Sequence, residues 1–187
     1  MSFSTGKEPF KITSEIDSKS LFISDFDETI LKLDIDWNAL REKLKVNKIS
    51  DLWQNSNSEK SWLLIQEVEL AAARTGKFLS HTVDLLESAN SFAILTNNSE
   101  SAVKAALSRS SRLNERCSII VGRETLEGPK QDQERFAKGF SKCLESLSLN
   151  KKNSSIYYLG DQDYELEFAR SLRAQPIRVQ KSGFEFR

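Results

Sequence analysis

The apolar positions of this chain fall into two kinds of pattern. Four short continuous runs come first: Leu21-Phe22-Ile23 ahead of Asp25, Phe92-Ala93-Ile94-Leu95 ahead of Thr96, Ile119-Ile120-Val121 ahead of Gly122, and Ile156-Tyr157-Tyr158-Leu159 ahead of Gly160. Runs of this length, closed by polar or turn residues, suit strands buried on both faces, as in a parallel sheet. Pro176-Ile177-Arg178-Val179 is a weaker fifth candidate. The second pattern is helical. Phe136, Phe140, Cys143, Leu144 and Leu147 recur at three-to-four spacing from Asp132 onward, which is one buried helix face. Val103, Ala106 and Leu107 form a similar face behind Asn98 or Ser99 as N-cap, and Leu166, Ala169 and Leu172 another after Gly160. Strands alternating with helices predict an α/β fold, a Rossmann-like three-layer sandwich with a mainly parallel sheet.

One stretch interrupts the alternation. Residues 35–89 separate the first two strands by far more chain than a crossover helix needs. Their patterns are helical: Trp37 to Val46, Glu59 to Arg74 closed by Gly76, and a helix to about Ala89 with Ser80 as its N-cap. The expected organisation is a core of residues 1–34 and 90–187, with 35–89 as a small all-helical cap over the carboxyl end of the sheet. Such a cap is expected to act as a mobile lid, excluding water on closure.

Composition narrows the function classes. The 187 residues suit one domain with a modest insertion. The 27 basic and 27 acidic residues cancel, leaving no electrostatic footprint for nucleic acid or an anionic membrane. No apolar run approaches the ~20 residues that span a bilayer. The opening MSFSTGKEPFKITSEIDSKS lacks the apolar stretch of a signal peptide, and a cytoplasmic location is expected. Cys117 and Cys143 read as small buried hydrophobes. His81 is the single histidine, so no serine–histidine triad or histidine-based zinc site is available.

Candidate chemistry gathers at the predicted strand ends, where open α/β sheets place their ligands. Asp25-Phe26-Asp27-Glu28-Thr29 follows the first run; surface acids are common, and a solvated loop is the plain alternative. Thr96-Asn97-Asn98 follows the second and opens a helix, where a hydroxyl and free N–H groups make an anion cradle. Lys130 follows the third, with position as its only argument. Gly160-Asp161-Gln162-Asp163-Tyr164-Glu165 follows the fourth, offering carboxylates to a hard cation or caps to the next helix. Together these groups supply what phosphoryl transfer through an acyl-phosphate requires. In the insertion, Trp53 and Trp62 could floor a substrate pocket or simply pack helices, and Lys77 reads as solvated.

The four segments, in this order and spacing, resemble the motifs of the haloacid-dehalogenase (HAD) hydrolase superfamily: Asp25-x-Asp27-x-Thr29, Thr96-Asn97, Lys130, and Gly160-Asp161-x-x-x-Glu165. The insertion and the phrase around Asp36-Trp37 resemble the phosphoglycolate-phosphatase-like branch, which carries a helical cap between the first two motifs. The resemblance implies a Mg²⁺-dependent phosphatase of small phosphomonoesters. Asp25 is implied as nucleophile and Asp27 as general acid and base. Thr96, Asn97 and Lys130 are implied as substrate contacts. Asp25, the Asp27 carbonyl and Asp161 are implied as Mg²⁺ ligands, with Glu165 in support. The dehalogenase branch lacks an acid at the position of Asp27, which turns the expectation away from halide chemistry. The implied partner is a small phosphorylated metabolite. A phosphomutase, and a catalytically quiet domain that binds a phosphorylated ligand or a protein, are the competing readings. Three positions depart from the family pattern: Glu28 where glycine is commonest, Gln131 and Gln133 where prolines are frequent, and Glu165 for the more usual aspartate.

Overall fold

The computed structural model describes residues 20–55, 57–147 and 154–186; most of the polar lead-in lies outside them. In chain order the elements are β1 (Leu21–Ser24), β2 (Leu31–Lys32), α1 (Trp37–Leu44), a 3₁₀ turn (Ile49–Gln54), α2 (Glu59–Thr75), β3 (Lys77–Phe78), α3 (Ser80–Ser88), β4 (Phe92–Leu95), α4 (Glu100–Leu107), α5 (Ser111–Arg116), β5 (Cys117–Val121), α6 (Arg123–Leu126), α7 (Gln133–Leu147), β6 (Ile156–Gly160), α8 (Asp163–Ser171), β7 (Gln175–Gln180) and β8 (Gly183–Phe186). All five expected strands form, including the weak fifth. The sheet runs β5-β4-β1-β6-β7-β8, parallel throughout except for β8, which returns antiparallel to β7.

Strand periodicity divides the core. Phe22, Ile94, Leu159 and Ile177 face one layer, with Leu85 and Leu86 of α3 and Ala102, Val103 and Ala106 of α4. Their sequence neighbours Leu21, Ile23, Ala93, Leu95 and Tyr158 face the other, against Phe136, Phe140 and Cys143 of α7 and Leu166 and Ala169 of α8. Alternate residues of one strand thus serve opposite faces, and helices cover both. Phe136 stacks on Phe140 and meets Tyr158 and Phe168 edge-on or tilted; truncating so buried a ring to alanine costs roughly 3–5 kcal/mol.

The segment between β1 and β4 spreads its apolar residues over two clusters. Leu40, Leu52 and Ile65 bury one another with Trp37, Trp62 and Val68 packed around them. Ala72 and Ala73 of α2, and Leu85 and Leu86 of α3, belong to the main core. Where the segment leaves and re-enters the core, β2 and β3 pair antiparallel through Leu31–Phe78 and Lys32–Lys77.

Three local readings need correction. Leu79 precedes α3 as its N-cap, and Ser80 is already helical, because the Leu79 N–H is fixed to the Ile30 carbonyl at 3.0 Å. Cys117 is only partly buried; both thiols are free, and burial raises that of Cys117 to about 12. The third concerns the anion cradle, described below. Among the described residues, no helix is long and apolar enough to cross a membrane.

Candidate active site

β1 delivers Asp25 to the carboxyl edge of the sheet, where its N–H donates to the Leu159 carbonyl of β6 at 2.8 Å. The chain then turns sharply: the N–H groups of Ile30 and Leu31 both return to the Phe26 carbonyl. Glu28 sits in this turn at φ +54°, a left-handed conformation that costs a residue with a side chain roughly 1–2 kcal/mol. The preference for glycine here has a backbone cause. The turn folds Asp27 back so that its Oδ1 accepts from Leu33 N at 2.9 Å and Glu28 N at 3.1 Å.

Lys130 reaches the same place from the loop before α7. Its buried Nζ lies 2.5 Å from Asp25 Oδ1, 2.7 Å from Glu165 Oε1 and 3.2 Å from the Leu95 carbonyl, so all three of its protons have acceptors. Burial acts to lower its pKa, but Asp25 and Glu165 outweigh that and hold the ammonium above its usual range. Glu165 also accepts from the hydroxyls of Tyr158, at 3.2 Å, and Tyr164, at 2.9 Å. Burial and the Asp25 charge raise Glu165 to about 7, with Lys130 opposing. Gly160 makes this packing possible, since a Cβ there would lie 2.6 Å from Glu165 Oε2.

Asp161 follows β6, and burial, then Asp25, raise its carboxyl. Asp25, Asp161 and Glu165 each present an oxygen within 4.8 Å of the others. An all-oxygen set carrying more than one negative charge fits a hard divalent cation. Sequence reading missed the support for this loop. Arg178 of β7 donates to the Asp161 carbonyl at 2.6 Å and pairs with Asp163.

The loop after β4 behaves differently from the expected cradle. Thr96 Oγ1 donates to Asn98 Oδ1 at 3.0 Å, and Asn97 Oδ1 accepts the Lys130 N–H at 2.7 Å. The N–H groups around the start of α4 are already taken: Asn98 by Thr96 Oγ1, Ser99 by Glu69 Oε2 and Glu100 by Glu124. The anion at this helix end is Glu69 of α2, which also holds Asn98 Nδ2 at 3.1 Å and the Arg123 guanidinium. Its signal in the sequence was an acid within the buried stripe Ile65, Glu69, Ala72, Ala73. Asp25, Asp27, Thr96, Asn97, Lys130 and Asp161 all line one cavity of about 310 Å³, together with Trp37, Ile49 and Glu69 from the helical segment.

The fold is that of the HAD-superfamily hydrolases. No family model matches the chain, and no curated protein is significantly similar in sequence. Solved structures share its fold at low sequence identity. CbbY from Rhodobacter sphaeroides in complex with phosphate is 14% identical, covering 84% of each chain at a TM-score of 0.57. A HAD phosphatase from Thermococcus onnurineus is 16% identical, covering 86% of each chain, also at 0.57. A structure assigned as the HAD-hydrolase YfnB of Bacillus subtilis, bound to magnesium, is 16% identical over 86% of this chain and 88% of its own, at 0.54. Dehalogenases also occur among the matches.

Proposed function

We propose that this protein hydrolyses a small phosphomonoester through an aspartyl-phosphate on Asp25. The observation that carries this reading is Asp27. Its carboxyl shares the cavity with Asp25 and is raised to about 7, by burial first and also by the Asp25 charge, against the hydrogen bond from Leu33. A halide departs without a proton, whereas an alkoxide departs poorly unless one is supplied, so a protonated neighbour of the nucleophile favours P–O over C–halogen chemistry.

In this mechanism an Asp25 oxygen attacks phosphorus while the Asp27 proton passes to the departing oxygen. Asp27, now ionised, takes a proton from the water that attacks the aspartyl-phosphate. That step releases phosphate and restores both carboxyl groups. Lys130 offsets charge beside Asp25, and Thr96 and Asn97 face the transferred group. Asp25, Asp161 and the Asp27 main-chain carbonyl are the proposed Mg²⁺ ligands, with Glu165 behind them. When bound, the ion supplies the neutralisation that lets a carboxylate approach an anionic phosphoryl group.

Uncatalysed hydrolysis of such esters is slow enough to require rate factors of up to ~10²¹, so loss of the nucleophile is decisive. Asp25→Asn is expected to keep the fold and abolish turnover of phosphomonoesters in Mg²⁺. The wild type is expected to form an acid-stable, hydroxylamine-labile phosphoryl adduct on Asp25. Activity above a trace in pure Asp25→Asn protein overturns the mechanism.

A further inference from the structure

Three acids gather at the proposed cation site, and the chain holds them by different means. Asp25 is fixed by the sheet: its N–H donates to the Leu159 carbonyl at 2.8 Å, and its carboxylate meets Lys130 at 2.5 Å. Glu165 stands on α8 and takes Lys130, Tyr158 and Tyr164 at 2.7, 3.2 and 2.9 Å. Asp161 has neither support. The ladder between β6 and β7 ends at the rung Gly160–Arg178, and α8 begins only at Asp163. The Asp161 carboxylate accepts from the exposed side chain of Gln162. Its main-chain carbonyl accepts from Arg178 Nη1 at 2.6 Å.

Stability alone does not account for an arginine at 178. Its side chain is only 14% exposed, and Nε is buried with no partner among the described residues, which costs free energy. The guanidinium pairs with Asp163, but that side chain is 75% exposed, and pairs so open to water contribute little. Asp163 also opens α8, and a cation at a helix N-terminus works against the dipole. Local costs without a local return are expected where function sets the residue.

We propose that Arg178 is a positioning residue of the cation site, setting Mg²⁺ affinity by holding the Asp161 carbonyl. It does not line the cavity of the carboxylates, so it touches neither ion nor substrate. The proposal rests on the Mg²⁺-dependent phosphohydrolase reading and adds to it a residue from outside the four motif segments. The mechanism is conformational. Past the last rung, no ladder fixes the two soft dihedrals of Asp161. The bond from Nη1 fixes the peptide after it, and so the direction in which the carboxylate leaves the chain. In that direction lie the Asp25 and Glu165 oxygens, all three within 4.8 Å of one another. Mg²⁺ demands near-ideal octahedral geometry, so a ligand free to swing binds it less well. Groups that orient a metal's ligands are worth roughly 10–100-fold in affinity. Charge alone predicts the opposite sign, since removing a nearby cation would tighten cation binding.

The test is a calorimetric Mg²⁺ titration of the full chain as wild type, Arg178→Met, Asp161→Asn and the double variant, each checked for native fold by circular dichroism. Arg178→Met keeps the stem and removes the donors. Its Kd for Mg²⁺ is expected to rise about tenfold. In the Asp161→Asn background the same substitution is expected to change Kd by less than about twofold, because Arg178 acts through the Asp161 carboxylate. A rise of less than about threefold in Arg178→Met, or a fall, overturns the proposal. So does a loss in the Asp161→Asn background as large as in the wild type. Should Arg178→Met not fold, Arg178→Gln, too short to reach the carbonyl, takes its place under the same criteria. A wild type that binds no Mg²⁺ fails the metal reading itself. A wild type that binds it no better than Arg178→Met fails only the role of Arg178.

Discussion

The guanidinium of Arg123 grips the carboxylate of Glu69 through two hydrogen bonds, 3.1 and 2.6 Å long, joining residues 54 positions apart. Both side chains are buried. Glu69 comes from α2 and Arg123 from the start of α6, and Glu69 also holds Asn98 and Ser99 beside the site. The pair therefore ties the helical segment to the sheet edge. Breaking one side of a buried pair costs roughly 3–5 kcal/mol, because a desolvated charge is left alone. Glu69→Gln is expected to lose stability of that order in urea unfolding. The double variant Glu69→Gln, Arg123→Met is expected to lose less than the two single losses added together.

Asp161 is expected to matter to the metal more than to the fold. Its carboxyl is partly exposed and raised by burial and by Asp25, so neutralising it relieves repulsion while replacing a charged oxygen ligand by a weaker neutral one. Asp161→Asn should weaken Mg²⁺ binding by at least about tenfold by calorimetry, with a thermal midpoint equal to or above that of the wild type. Unchanged Mg²⁺ affinity would remove Asp161 from the site.

Stability of the Mg²⁺-free protein should fall with rising pH. The Asp27 carboxyl moves from 3.8 to about 7 on folding, so between these values the native state holds a proton that the unfolded state has lost. Its contribution is fully present below about pH 4 and is lost as pH rises through about 7. Glu165, raised to about 7, adds a slope of the same sign. Asp27→Asn is expected to flatten, without abolishing, the decline in urea midpoint between pH 4 and 7. A slope identical to the wild type's would mean that Asp27 ionises alike in both states.

Glu28 holds φ +54° with only an exposed 3.7 Å pair to Lys32 in return. Such pairs contribute little, whereas the left-handed backbone is strained for any side chain. Glu28→Gly is expected to stabilise the protein by roughly 0.5–1 kcal/mol, and Glu28→Val to destabilise it by more, since β-branching disfavours this region further. Equal midpoints for all three proteins would contradict the strain.

Much of the fold was legible because its signals are local. A run such as Phe92-Ala93-Ile94-Leu95 is apolar on both faces whatever surrounds it, and the spacing of Phe136, Phe140 and Cys143 marks one helix face without reference to a partner. The apolar runs ahead of Asp25, Thr96 and Asp161 marked these residues as following strands, whereas Lys130 is set apart from β5 by the short helix α6, which the sequence did not signal. Elements of few residues were not legible. Two-residue strands such as Leu31–Lys32 and Lys77–Phe78 carry no period and exist because each pairs with the other. Tertiary structure alone decided which groups meet. Lys130 lies 105 residues from Asp25 and yet 2.5 Å away. The helix end behind Thr96 looked open in sequence because nothing local says that Glu69, from a different element, closes it. Sequence fixes residue type and spacing along one chain direction. Contacts between elements, and the pKa shifts that burial imposes on Asp27 and Glu165, arise only once the sheet has brought its carboxyl ends together and excluded the water between them.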